Sequence, residues 1–405
     1  MPAAMRPFQS TISLDEARRL IDEAVRPIER VERVGLLDAR GRVLAAPAVA
    51  GVDVPPFSRA AMDGYAVVAA DLAGASAEAP VGLTCIERVF TGQMPTRAVT
   101  RGTCSEVATG APMPDGADAV VMVEETALSG DEVRFLAAAR AGQNIGRRGQ
   151  DIQAGQAAVA PGAELNASRI GALAAVGLTA VDVYARPRVA ILATGNEIVV
   201  PGTALEPGQL YDVNSFTLAT VVAEQGCTPI VVRTAADTIE DLTAAIDSCP
   251  AHDVLVTSGG TSVGTRDLVL DVLKARGTVL FHGIAVKPGK PTAFGRLGQA
   301  LVFGMPGYPT SCLSNAYILL APALRKMARL ADPGRPSIQL PLASRVVSTA
   351  GRHQFYTVRI ANGSAMPAFK ASGDITSMSQ ADGYIEIDSD TEAVEAGTLV
   401  EVKFF

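Results

Sequence analysis

Between residues 188 and 330, apolar runs of strand length alternate with longer apolar runs at helical spacing, and this rhythm leaves few folds open. Residues 189–193, 230–233, 254–256, 279–281 and 300–303 read as strands. Residues 215–225 (closed by Gly226), 239–246, 268–276 and 312–330 read as helices. Alternation sustained over about 140 residues predicts a doubly wound parallel sheet with helices on both faces. In such sheets ligands bind outside the carboxyl ends of the strands. Three strand ends run into loops of Gly, Ser and Thr: Thr194-Gly195, Ser258-Gly259-Gly260, and residues 304–311 with Pro306 and Gly307. The topology brings the carboxylates Glu197, Asp237 and Asp267 and the lysines Lys287 and Lys290 to the same edge.

The most pointed of these loops is DVLVTSGGTSVGTRD, residues 253–267. A strand that ends in glycines and hydroxyls and opens a helix is an anion cradle. Backbone N–H groups can approach a ligand closely there, and the helix N-terminus carries partial positive charge. The competing reading is a tight turn with Asp267 as the helix cap.

A chain of 405 residues exceeds a single core, so several domains are expected. With 48% apolar and 19% charged residues the composition is that of a folded globular protein, and the net charge of −7 argues against nucleic acid or an anionic membrane surface as partner. The five cysteines include no CxxC pair, so neither a disulfide framework nor a thiolate zinc site is indicated. Three scattered histidines leave the chemistry to carboxylates, lysines and backbone amides. There is no apolar run of about 18 residues and no apolar leader core, so a cytoplasmic location is expected.

Ahead of the alternating region, Ser13-Leu-Asp-Glu16 is a capping box and Leu14, Ala17, Leu20, Ile21, Ala24 and Val25 form one helical stripe, for packing within the chain or against a second copy. Residues 81–125 read as short strands with Gly/Pro turns, a β-rich module. The loop at 143–155 places Arg147 and Arg148 with Asp151, for an anionic ligand or as a solvated surface group. Residues 333–336 read as a linker. Beyond them 340–347, 355–360, 368–370, 383–387 and 398–404 read as strands of a small all-β module. Its loops near Arg352 and Ser372 either reach a ligand held by the sheet or serve structure alone.

Eight segments in order, PPFSRAAMDGYA, TGAPMPDGADAVV, the Arg147–Asp151 loop, TGNE, YDVN, TSGGTSVG, KPGKP and GMPGYPTS, resemble the molybdopterin molybdenumtransferases, the bacterial MoeA type and the gephyrin E domain. The resemblance covers nearly the whole chain. It implies a multidomain α/β protein. An intertwined N-terminal α+β region, residues 1–53 and 142–185, carries a β-rich insertion at 54–141. A doubly wound molybdopterin-binding α/β domain at 186–332 and a small C-terminal β-barrel at 333–405 follow. It further implies a homodimer with a shared site, contact with molybdopterin adenylyltransferase, and magnesium-dependent insertion of molybdate into adenylylated molybdopterin with release of AMP.

Under that resemblance, Asp63, Asp151, Glu197, Asp237 and Asp267 are the catalytic candidates, with Asp237 and Asp267 holding the magnesium ion. Thr109, Thr194, Gly195, Ser258, Gly259, Gly260, Ser262, Lys287, Lys290, Pro306, Gly307, Arg352 and Ser372 are the substrate-binding candidates. Within this set Lys287, Lys290, Arg352 and Ser372 would receive molybdate, and Asp63, Thr109 and Asp151 would come from a second copy. The chain departs from the family pattern at Ser58-Arg59-Ala60, Gln150, Asn196, residues 264–267 and Tyr308, losing acidic or amide side chains and gaining Arg59 and Arg266, while all five candidate carboxylates remain. A non-catalytic paralogue that holds molybdopterin or finished cofactor is the alternative. A nucleotide pyrophosphatase on the same fold is disfavoured by the N-terminal motifs and the C-terminal β-module.

Overall fold

The Ser13 hydroxyl accepts a hydrogen bond from the Glu16 N–H at 3.1 Å and starts helix α1 (Leu14–Ala24). Its stripe of Leu14, Ala17, Ile21 and Ala24 is buried in one core with Leu319, Leu320, Leu324 and Met327. The chain therefore covers this face itself, and each large side chain so buried contributes about 1.5–3 kcal/mol. The computed structural model describes residues 11–130, 132–233, 238–259, 268–331, 334 and 336–405. It divides into two units, Met1–Glu32 with Tyr184–Phe405, and Arg33–Val183.

In the larger unit β1 (Arg188–Ala193), α2 (Asn214–Glu224), β2 (Thr228–Arg233), α3 (Ile239–Ser248), β3 (Val254–Ser258), α4 (Leu268–Arg276), β4 (Thr278–His282), β5 (Ala293–Leu297), β6 (Ala300–Met305), α5 (Pro309–Asn315) and α6 (Ala321–Met327) follow in order. The sheet order is β2-β1-β3-β6-β5-β4. Alternation sorts the strands onto two buried faces. Val189, Ile191, Val254, Val256, Leu301 and Phe303 pack with Leu218, Val221 and Val222 of α2. Ala190, Leu192, Leu255 and Val302 pack with Leu242 and Ile246 of α3 and Val269 and Leu273 of α4.

The sheet is mixed rather than parallel throughout. Strands β2, β1, β3 and β6 are parallel, whereas β5 runs antiparallel to both neighbours. Periodicity does not announce β5, because Gly295 and Arg296 interrupt its apolar run. Its signal lies in the turn: Leu297 pairs with Ala300 across Gly298-Gln299, and Gly298 sits at φ 59°, as a two-residue hairpin requires. The helix expected at 312–330 is α5, a π-helical turn at Ala316–Leu320, and α6. Pro322 lacks an N–H and its ring opposes the carbonyl four residues back, and the wider turn ahead of it accommodates this.

The C-terminal strands Ser337–Pro341, His353–Ala361, Ser364–Pro367, Gly383–Ile387 and Leu399–Phe404 form one curled sheet with Val286–Lys287. Leu342 bridges to Ala365 and closes much of the curl. The strand expected at 368–370 lies instead at Ser364–Pro367, where Asn362-Gly363, both at positive φ, turn the hairpin. The run at 340–347 is broken into Ser337–Pro341 and Val346–Val347.

The smaller unit holds a sheet in the order Ala119–Met122, Gly64–Val67, Thr103–Val107, Val81–Val89, Glu132–Phe135, Thr126–Ser129. Tyr65 meets Phe135 edge-on at 5.9 Å in its core. Among the described residues no helix is long and apolar enough to cross a membrane.

Candidate functional site

At the carboxyl edge of the larger sheet the ends of β1, β3 and β6 are tied into one joint. The Thr194 N–H donates to the Ser258 carbonyl at 2.9 Å and its hydroxyl to the same oxygen at 3.3 Å. Asn214, the first residue of α2, donates from Nδ2 to Ser258 Oγ at 2.7 Å and to the Gly307 carbonyl at 2.8 Å. The Gly259 N–H donates to the Met305 carbonyl at 3.3 Å. Gly259 has φ 92°, and a Cβ there would collide with the Thr194 carbonyl and lie 2.9 Å from its Oγ1, so only glycine permits this approach. Thr194, Ser258 and Asn214 are all buried. Four predicted residues, Thr194, Ser258, Gly259 and Gly307, are thus in one hydrogen-bonded cluster, with Pro306 next to it in the chain.

Gly195 and Glu197 share the turn after β1. The Ile198 N–H donates to the Gly195 carbonyl at 3.1 Å, and a side chain at Gly195 would meet the Glu197 carboxylate at 2.7 Å. Glu197 is exposed, an oxygen donor at the strand edge of the kind a hard cation accepts.

Helix α5 fastens two further loops. The Thr310 N–H donates to the Ser372 carbonyl at 3.1 Å and the Thr310 hydroxyl to the Asp374 carbonyl at 3.1 Å. At its other end the buried Asn315 donates from Nδ2 to the Gly289 carbonyl at 2.8 Å and to Thr292 Oγ1 at 2.6 Å, which holds the KPGK loop. Lys287 and Lys290 on that loop are half-buried. Lys287 Nζ donates to Thr349 Oγ1 at 2.8 Å, and the Arg352 N–H closes the same turn on the Thr349 carbonyl at 3.2 Å. The Ser372 backbone and the loop that carries Lys290 are therefore fastened to opposite ends of one helix, while the Lys287 side chain and the Arg352 backbone both bond Thr349.

In the smaller unit Asp63 and Thr109 form a clamp. The Thr109 N–H and hydroxyl donate to Asp63 Oδ1 at 2.6 and 3.0 Å. The N–H first, then the hydroxyl, holds the exposed Asp63 carboxyl below the usual carboxylate range. A cavity of about 240 Å³ beside it is lined by Asp63, Tyr65, Arg88, Phe90, Glu106 and Val123, with Arg88 paired to Glu106 at 2.7 Å. Asp151 sits exposed in its own turn, its N–H donating to the Val54 carbonyl at 3.0 Å, and no bond to Asp63 or Thr109 occurs among the described residues. Arg148 pairs with Asp53 at 2.6 Å rather than with Asp151, so this arginine braces its own loop.

Asp237, Gly260, Ser262 and Asp267 lie outside the described residues. Among the described residues no group of three or more His, Cys, Asp or Glu side chains is placed to hold a metal. Asn214, Asn315, Thr310 and Thr349 were given no role from sequence. Asn214 stands inside the YDVN segment and Thr310 inside GMPGYPTS, so both carry a signal, whereas Asn315 and Thr349 act by packing and hydrogen bonding that no local pattern encodes. A second cavity, about 430 Å³, runs along α2 past Asp212, Ser215, Phe216 and Val231 and touches none of the predicted residues.

Three family models cover most of the chain: the MoeA N-terminal region (domains I and II) at residues 12–177, a probable molybdopterin binding domain at 190–326, and the MoeA C-terminal region (domain IV) at 339–405. The chain is 34% identical over 400 residues to molybdopterin molybdenumtransferase 2 of Mycobacterium tuberculosis, covering 96% of this chain and 98% of that protein. It is 34% identical over 318 residues to the molybdopterin molybdenumtransferase of Haemophilus influenzae, covering 78% of each. A molybdopterin biosynthesis MoeA protein of Pyrococcus horikoshii superposes with a TM-score of 0.83 at 37% identity, over 98% of this chain and 99% of that one.

Proposed function

The chain belongs to the MoeA family of molybdopterin biosynthesis proteins, and from that premise we propose that it inserts molybdate into adenylylated molybdopterin with release of AMP. The observation that carries this reading is the strand-edge joint, in which Asn214 binds the ends of β3 and β6 together beside Thr194 and Gly259. A joint locked from behind by buried side chains leaves loop backbone free to cradle a phosphoanhydride. Lys287 and Lys290, half-buried on an anchored loop, supply the positive charge that a protein of net charge −7 must provide locally. With Arg352 and Ser372 they form the pocket for the molybdate dianion, since compact oxyanions are held by cations and hydroxyl or amide donors.

Magnesium would be held by Asp237 and Asp267 with Glu197 beside them, and when bound it neutralises charge on the phosphoanhydride. Thr109 holds Asp63 ionised and aimed, so this carboxylate would serve the site as a fixed oxygen ligand or hydrogen-bond acceptor. In this reading the protein acts as a homodimer in the cytoplasm, with Asp63, Thr109 and Asp151 of a second copy completing the site, and its substrate comes from an adenylylating partner.

The test is AMP release from adenylylated molybdopterin in the presence of molybdate and magnesium, by wild type and by Asp63→Asn. The expected loss in the variant is on the order of 10²-fold, with an unchanged thermal melt. Tight binding of molybdopterin by the wild type without molybdate-dependent AMP release would overturn the reading and leave a cofactor-holding protein.

A further inference from the structure

The strands Val81–Val89 and Thr103–Val107 run parallel, and in their ladder Cys85 and Cys104 are direct register partners. Register partners project to the same face of a sheet. Neighbouring strands lie about 4.8 Å apart, within the roughly 4.4–6.8 Å between Cα atoms that a disulfide spans. The two side chains share one core, Cys85 packing from its edge against the cluster that holds Cys104. Directly after Cys85 the register slips: Cys85 faces Cys104 but Glu87 faces Ser105, so Ile86 is an extra residue. A bulge loosens the local ladder, which lets the Cys85 backbone move the fraction of an ångström that closing a bond needs.

The two sulfurs differ in access. Cys104 is fully buried among Tyr65, Leu83 and Phe135, and burial pushes its thiol up to about 12. Cys85 is half-buried, and its thiol donates to the Glu87 carbonyl at 3.5 Å. An oxidant from solvent therefore meets Cys85 first, and Cys104 is the neighbour placed to respond.

We propose that Cys85 and Cys104 are a site of reversible oxidation, in which a peroxide links the two strands through a disulfide. In the first step the Cys85 sulfur attacks the O–O bond, giving a sulfenic acid and one water. In the second the Cys104 sulfur attacks the Cys85 sulfur, the S–O bond breaks, and the Cys104 proton leaves with the hydroxide as a second water. Two thiols are oxidised by two electrons and one peroxide is reduced.

The position gives the link a consequence. The same two strands continue into Arg88, Val89 and Phe90 on one side and Glu106, Val107 and Ala108 on the other, which line the cavity beside Asp63. Thr109, the clamp on Asp63, is the next residue. A covalent tie three or so residues back fixes the spacing of those walls. The oxidation itself is independent of the transferase reading.

The experiment treats the reduced full-length chain with one equivalent of hydrogen peroxide, followed by non-reducing digestion and mass spectrometry. The expected product is a linked peptide pair containing Cys85 and Cys104, two hydrogens lighter than the separate peptides and released by dithiothreitol, with the free thiol count down by two. Cys85→Ser should abolish the link and leave Cys104 reduced, and Cys104→Ser should halt Cys85 at the sulfenic acid, which dimedone captures. Cys249, half-buried with its thiol on the Ala245 carbonyl at 3.3 Å, is the internal control for simple exposure. Wild-type Cys85 found as dimedone-captured sulfenic acid with Cys104 still reduced, or unreacted while Cys249 is oxidised, would overturn the proposal whether or not the variants fold.

Discussion

The strand-edge joint and the Asp63–Thr109 clamp hold candidate site residues in opposite ways. At the joint, neutral groups are buried and each bond fastens one loop to another: Asn214 to Ser258 and Gly307, Thr194 to Ser258. At the clamp, a charged group sits in solvent and two bonds from one residue aim it. Leaving a buried polar group unsatisfied costs its full desolvation, whereas an exposed one turns to water. Damage at the joint should therefore appear first as lost stability, and damage at the clamp as lost activity with the fold intact.

The hardest blow to that contrast is Gly259→Ala. With φ 92° and a Cβ driven into the Thr194 carbonyl, it should cost about 3 kcal/mol, measured by urea denaturation. A neutral result would mean that the joint yields and that burial is not what makes it rigid. Next is Asn214→Leu, which takes the amide donor from Ser258 Oγ and the Gly307 carbonyl and should cost about 1–2 kcal/mol in the same assay, since Ser258 Oγ keeps the Cys312 thiol and Gly307 is open to water.

A third variant separates charge from burial. Glu386 is charged, like Asp63, but largely enclosed, with His353 Nε2 at 2.9 Å, Lys403 Nζ at 3.1 Å and Arg18 at 3.4 Å. Burial alone would push its carboxyl up, but the His353 bond, the Arg18 charge and Lys403 together bring it down to about 2. A carboxyl depressed on folding stabilises fully above its unfolded value and loses that contribution as pH falls through its folded one. Glu386→Gln should lower the urea midpoint at pH 7, and the gap to wild type should close between about pH 4.5 and pH 2. A gap independent of pH would assign the effect to packing. The smallest change is Gly307→Ala, whose Cβ would lie 3.5 Å from Gly259 Cα, an ordinary contact at an exposed position. It should move the midpoint by no more than about 0.5 kcal/mol, so the two glycines of one joint differ several-fold.

Much of the fold is legible in local pattern because strands and helices bury faces with periods of 2 and 3.6. Helix α1 shows this, with its Ser13 cap and stripe of Leu14, Ala17 and Ile21. The turn glycines Gly195, Gly259 and Gly307 mark the strand ends in the same local way. β5 was not legible from periodicity because an antiparallel insertion is announced only by the hairpin turn at Gly298. For the same reason the strand Ser364–Pro367 starts a few residues ahead of the apolar run at 368–370, directly after the Asn362-Gly363 turn that fixes it.

The sequence by itself determined the succession of strand, glycine loop and helix, the motifs that place the chain in its family, and the supply of lysines and carboxylates. Only the tertiary structure decided which of these meet. Asn214 reaches Gly307 across a gap of 93 residues, and Lys287 reaches Thr349 across 62. Those bonds exist because parallel strands distant in the chain lie side by side and present their ends together. A residue's neighbours across a sheet are set by strand order, and strand order leaves no trace in the local spacing of side chains.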